Sequence, residues 1–209
     1  MHEQATQFTL FVKRILPEYF EEKRVLDVGS GDINGNNRFL FKHCGYEGND
    51  VIHGKNVTIV SKTKDLPSEY DDYFDVIVST ECFEHDPDFP LSIQRIYTML
   101  KHDGLFFFTC ASTGRQEHGT RRTSPQDSFG TMGNIEDMID HYKNITEHDL
   151  NKVLELKKHF VQWNTYFNAE SKDLYFVGIK NGIQTISPLE VYTAPYVFHT
   201  SGKIETGST

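Results

Sequence analysis

The residues best suited to chemistry are gathered in a few short stretches. In VLDVGSGDINGNN, residues 25–37, an apolar run ends in Asp27 and is followed by Gly29, Ser30, Gly31, Asn34 and Gly35. A strand that ends in an acid and turns through glycines can bring backbone N–H groups, and the start of a following helix, against a ligand. The spacing departs from the dinucleotide fingerprint GxGxxG, because Asn34 stands where its third glycine belongs. Roughly twenty residues later Asp50 closes a second strand-like segment, where a carboxylate can accept hydrogen bonds from two ribose hydroxyls. The run FDVIVSTECFEHDPD then places Thr80, Glu81, Glu84 and His85 at the carboxyl end of another strand, the edge at which open α/β sheets bind ligands.

A third stretch, RQEHGTRRT, residues 115–123, brings together Arg115, His118, Arg121 and Arg122. Guanidinium groups grip phosphate or carboxylate in bidentate fashion, so this loop suits an anionic acceptor. His85 and His118, with Glu81 as a third, are candidate general bases, since imidazole titrates near neutral pH. Glu81, Glu84, His85 and His118 are chemically able to hold a divalent ion, but their spacing matches no metal signature and no metal is expected.

Composition narrows what these groups can act on. A formal net charge of -9 over 209 residues opposes a nucleic-acid partner and favours a small or protein-borne substrate. No apolar run approaches membrane-span length and the first residues lack the order of a signal peptide, so a cytoplasmic protein is expected. Cys44, Cys82 and Cys110 read as reduced, mostly buried thiols. Oligomeric state is not legible.

The elements that must position these residues follow from hydrophobic period. Phe8, Phe11, Val12, Ile15, Leu16 and Tyr19 mark an amphipathic helix, which Pro17 should end or kink near Leu16; its span is placed at about 4–20. Strands are expected at 24–28, 46–51, 57–61 and 75–79, with a helix at 36–44 stopped by Gly45 and another through Phe89, Ile93, Ile96, Tyr97 and Leu100, closed by Gly104. LFFFT follows as a strand buried on both faces. Beyond a polar loop from Ala111 to about Gly133, helices are expected near 135–142 and 147–158, the second with Thr146 and Asp149 spaced as a capping box. HFVQWNTYFN and DLYFVGIK then form an antiparallel hairpin. One domain is expected over 1–182, with 183–209 a surface-wrapped tail anchored by Tyr192, Tyr196 and Phe198 and disordered at its tip.

Taken together, these motifs resemble the class I S-adenosylmethionine-dependent methyltransferases, in particular the small Rossmann-like group labelled type 11. VLDVGSGDINGNN looks like that family's first loop, FDVIVSTECFEH its fourth-strand motif, and LKHDGLFFFT its turn and fifth strand. The resemblance implies an α/β, Rossmann-like three-layer sandwich with a seven-stranded, mostly parallel sheet and a C-terminal antiparallel hairpin. It implies S-adenosylmethionine as cofactor, held by Asp27, Gly29, Ser30, Gly31 and Asn34, by Asp50 and Val51, by Thr63, and by Thr80, Glu81 and His85. The acceptor would be met by Arg115, His118, Arg121 and Arg122. Lys62 stands where the family often carries an adenine-binding Asp. A nicotinamide-dependent oxidoreductase and a catalytically silent cofactor-binding module are the competing readings.

Overall fold

The computed structural model describes residues 2–184 and 187–202. Its elements in chain order are α1 (Glu3–Ile15), β1 (Arg24–Val28), β2 (Gly45–Asp50), β3 (Ile59–Val60), β4 (Phe74–Thr80), α2 (Phe89–Met99), β5 (Leu100–Ala111), α3 (Phe129–Met132), α4 (Glu147–Val153), α5 (Leu156–His159), β6 (Phe160–Asn168), β7 (Asp173–Lys180) and β8 (Val197–Gly202). They build a single eight-stranded sheet in the order β3-β2-β1-β4-β5-β7-β6-β8. The first five strands run parallel, and β7, β6 and β8 close the sheet antiparallel. Among the described residues no helix is long and apolar enough to cross a membrane.

Period-two alternation sends each central strand into two cores. Phe106 and Phe108 of β5 pack with Ile77, Leu26 and Val28 under α2, α4 and α5. Leu105 and Phe107 point to the opposite face, where Val76, Val78 and Val25 meet Phe8, Phe11 and Val12 of α1. The C-terminal ends of β1 and β4 are therefore fixed from both sides.

Several expected elements differ. No α-helix forms over 36–44; a 3-10 turn at Arg38–Leu40 is all the helix there, and Leu40 is its buried residue. The side chains of Asn36 and Asn37 instead bond Asp32, Asp27 and Thr80, the local competition by which Asn disfavours helix. Residues 136–140 fold as successive turns after Asn134 takes a left-handed φ of 52°. The helix over 147–158 breaks into α4 and α5. Leu154 and Leu156 lie two apart and cannot share one helical face, and the extended Glu155 between them buries both. The capping box of Thr146 and Asp149 forms as expected.

The first helix ends at Ile15, short of the expected span, and Pro17 starts a 3-10 turn. The tail is not only a wrap: β8 adds an eighth strand beside β6, where the expectation was seven. Tyr192 is its anchor, donating its N–H to the Tyr166 hydroxyl at 3.1 Å and packing on Phe8 and Phe11, whereas Tyr196 and Phe198 are exposed. The expected disordered tip, 203–209, lies outside the described residues.

Candidate active site

A cavity of about 440 Å³ opens at the carboxyl edge of the parallel strands, within the size range of small-molecule sites. Its first end is the glycine turn. Gly29 adopts a φ of 70°, and a Cβ there would stand 2.4 Å from the Cys82 side chain, so the turn cannot take a larger residue at this position. Asp32 ties the rest of the loop, accepting the Gly35 N–H at 2.8 Å and the Asn36 amide at 2.9 Å while pairing with Lys55. Gly29, Ser30, Gly31 and Asn34 all line the cavity. With no α-helix following, the turn has no helix dipole behind it, and the N–H groups of Gly29 and Ser30 are already bonded to the Asn49 carbonyl.

Two carboxylates stand at this end, and both are held by uncharged donors. Asp27 accepts from the Tyr46 hydroxyl and from Asn37 Nδ2 at 3.2 Å. The same Asn37 nitrogen reaches Thr80 Oγ1 at 3.2 Å, and Asn37 Oδ1 is buried with no partner. Asp50 accepts the Gly31 N–H at 2.9 Å and the Val51 N–H at 2.8 Å, so Val51 contributes its backbone. Burial pushes both carboxyls up to about 6, in opposition to those hydrogen bonds.

The third-strand residues do not join them. Thr63 is absent from the cavity wall; its hydroxyl donates to Asn49 Oδ1 at 2.9 Å. Lys62 pairs with Asp88 and Asp137 away from the cavity. The wall is completed by Asp127, Ser128, Phe129 and Met138 from the segment after β5. The Phe129 ring lies so close to the turn that a Cβ on Gly31 would meet its Cε2 at 2.3 Å, which makes Gly31 a packing requirement.

At the opposite end the carboxylates meet cations. Glu81 accepts the Thr109 hydroxyl at 2.8 Å, and His2 Nε2 lies 3.2 Å from its Oε2 and 2.9 Å from Asp173 Oδ2. Arg115 donates to the Ser171 carbonyl at 2.6 Å and to Asp173 at 3.4 Å. Burial acts to lower the His2 pKa, but the bonds to Asp173 and Glu81 outweigh it and raise it to about 10. Burial likewise opposes ionisation of Glu81, and the same His2 contact wins, holding it below the usual range. Glu81 is thus an ionised partner in a clamp and a poor candidate for a free base.

Beside that clamp sit Glu84, His85 and His118. Glu84 is 0% exposed and neither carboxyl oxygen has a hydrogen-bond partner. His85 is 6% exposed with both ring nitrogens unpartnered. Burial, then the nearby His118 ring, lowers its pKa to about 3, so it is neutral; burial and the Glu81 charge push Glu84 well above the usual carboxylate range. The two imidazoles meet edge to face with centroids 4.9 Å apart, and both line the cavity. Of the three expected arginines, Arg115 reaches the wall. Arg121 and Arg122 lie outside it, exposed and paired with Asp140 and Glu117. The loop bends them outward, and local acids answer their charge.

His2, Asn37, Tyr46, Phe129 and Asp173 were not legible as site residues. Phe129 carried a weak signal, a lone aromatic in the polar run SPQDSFGTMG. His2 and Asp173 carried none, because tertiary structure alone brings them to Glu81.

Comparison with known proteins follows this geometry. A family model described as "Methyltransferase domain" matches residues 1–156. No curated protein matches the sequence. Among solved structures, phosphoethanolamine N-methyltransferase 2 of Haemonchus contortus, in complex with S-adenosyl-L-methionine, superposes with a TM-score of 0.57 at 16% identity, over 84% of this chain and 52% of that one. The chain thus spans about half the length of that protein. A Burkholderia thailandensis 1,6-didemethyltoxoflavin-N1-methyltransferase with bound 1,6-didemethyltoxoflavin and S-adenosylhomocysteine gives 0.56 at 15% identity, over 85% and 79%. A SAM dependent methyltransferase from Archaeoglobus fulgidus gives 0.54 at 15% identity, over 84% and 94%. At these identities the likeness is one of fold.

Proposed function

The chain belongs to the methyltransferase-domain family, and from that premise we propose that it transfers the methyl group of S-adenosylmethionine to an oxygen or nitrogen of a small polar acceptor. The observation that carries the cofactor assignment is Asp50. Its carboxylate is pinned by two backbone N–H groups at the end of β2, faces the cavity, and has no cationic partner among its hydrogen bonds, so lone pairs remain for a ribose diol. The donor set fits the rest of the molecule. Asp27 supplies negative charge near a cationic ligand, Asn37 Oδ1 is an acceptor still to be satisfied, and Phe129 offers an apolar ring face to a base.

S-adenosylmethionine brings an electrophilic methyl on a sulfonium, whose sulfur leaves with the bonding electron pair. The protein's part is to hold the acceptor atom in line, roughly 3–3.5 Å from the methyl, and to take up the proton that atom loses. Glu81 is engaged by His2 and Thr109, so that proton would leave by the side of the cavity that His85 and His118 line. With Arg115 paired to Asp173 and the other two arginines outside the wall, the cavity favours a neutral polar acceptor over a strongly anionic one.

Thermal melting of the protein with S-adenosylmethionine, S-adenosylhomocysteine and NADH tests this, because a ligand that binds the folded state raises the midpoint by mass action. Both adenosyl ligands should raise it and NADH should not. A shift with NADH alone, as a nicotinamide-dependent oxidoreductase would give, overturns the assignment.

A further inference from the structure

We propose that Glu84, His85 and His118 form a binding site for one divalent first-row transition cation, which joins the end of β4 to the loop that covers it. One nitrogen or carboxylate oxygen from each residue can be chosen so that all three lie within 4.8 Å of one another. A cation bound at roughly 2.0–2.2 Å would draw them together by about an ångström or more.

The strongest support is what these atoms lack. Both oxygens of the fully buried Glu84 and both nitrogens of His85 are without hydrogen bonds, although buried polar groups are nearly always paired. His118 is already set as a ligand. Its Nδ1 lies 3.2 Å from the Gln116 carbonyl, which only an N–H there can satisfy, and this leaves the lone pair on Nε2. That Nε2 stands 3.8 Å from Glu84 Oε1, too far for a direct hydrogen bond, so a gap separates the two groups. A backbone carbonyl fixing the remote nitrogen is the arrangement that orients metal-bound histidines.

The neighbourhood holds the ligands in place. Gly119, at a φ of 70°, packs so closely on His85 that a Cβ would meet its Cε1 at 2.5 Å. The Lys143 N–H donates to the Glu84 carbonyl at 2.9 Å, and the unpartnered hydroxyl of Tyr142 belongs to a ring 5.0 Å from that of His118. Two imidazoles with one carboxylate suit zinc, iron, cobalt or manganese, whereas magnesium and calcium prefer all-oxygen sets. These ligands match no metal signature by spacing because they come from two separate loops.

His2, Glu81 and Asp173 are as close together, yet there the His2 imidazolium already sits between two carboxylates. With His85 and His118 on the cavity wall, the cation would stand at the end assigned to the acceptor, a placement that rests on the functional reading above.

The test is titration of the chelator-stripped full chain with cobalt(II) and zinc(II), reading stoichiometry by calorimetry and, for cobalt, visible absorption. One ion per chain is expected. His118→Ala, which removes a loop side chain, and the isosteric Glu84→Gln should each weaken binding about 100-fold or more, and His2→Ala should leave it unchanged. Folding of each variant is checked by circular dichroism. No binding by the wild type, or equal affinity in His118→Ala, overturns the site, as does loss of binding in His2→Ala alone. S-adenosylmethionine is titrated into the same metal-free protein. Cofactor binding without cation binding sinks this inference and leaves the functional reading intact, and the reverse result sinks the functional reading alone.

Discussion

The two ends of the cavity treat buried carboxylates in opposite ways. At the glycine turn, Asp27 and Asp50 are held by N–H and O–H donors that carry no charge. At the acceptor end, Glu81 and Asp173 are answered by His2 and Arg115, while Glu84 has no hydrogen-bond partner. Neutral donors orient a carboxylate and leave its charge available to a ligand. A cation consumes that charge within the protein and converts the pair into a clamp. The difference separates residues that bind from residues that hold the fold.

Four substitutions or titrations sharpen or break that contrast. The largest effect should come from Asp50→Ala, which removes the diol acceptor: affinity for S-adenosylmethionine should fall about 100-fold by equilibrium dialysis, the scale of two charge-assisted hydrogen bonds. Unchanged affinity would mean that Asp50 only shapes the turn. Next is His2→Ala. Breaking a fully buried pair costs about 3–5 kcal/mol, and with Arg115 still present the loss should be about 2 kcal/mol in urea unfolding at neutral pH. Because the His2 pKa is raised, its contribution is complete below the unfolded value and disappears as pH rises through about 10; the variant and wild type should converge there.

The third is a pH titration of cofactor affinity. Asp50 accepts hydrogen bonds best when ionised, so affinity should be full above about 6 and fall toward tenfold per unit below it. For the ligand-free protein the sign reverses. A carboxyl with a raised folded pKa favours the protonated native state, so the contribution of Asp27 and Asp50 is greatest below the unfolded value and is lost as pH rises through about 6. The smallest effect should be that of Glu84→Gln on the metal-free fold. Removing an unanswered buried carboxyl should change stability by less than about 1 kcal/mol, in either direction. A loss as large as that of His2→Ala would place Glu84 among the clamp residues.

The same contrast explains what could be read from the chain. β1, β4 and β5 were legible because RVLDV, FDVIVST and LFFFT alternate between two cores, and the hairpin because AESK separates two apolar runs. The glycine-turn end was legible too, since Asp27, Gly29 and Asp50 each close a local strand-to-turn pattern. The helix over 36–44 was misread because residue spacing does not reveal that Asn36 and Asn37 bond Asp32 and Asp27. The clamp was invisible for a different reason. His2, Glu81, Arg115 and Asp173 come from four distant segments, and only the order β1-β4-β5-β7 and the docking of α1 bring them together.

The central claim is that the glycine-turn end is the cofactor site. A crystal structure of the full chain with S-adenosylhomocysteine tests it most directly. Both ribose hydroxyls should lie within hydrogen-bond distance of the Asp50 carboxylate, with the amino-acid end against Gly29, Gly31 and Asn34. A nucleoside bound elsewhere, with Asp50 contacting only Gly31 and Val51, would contradict it.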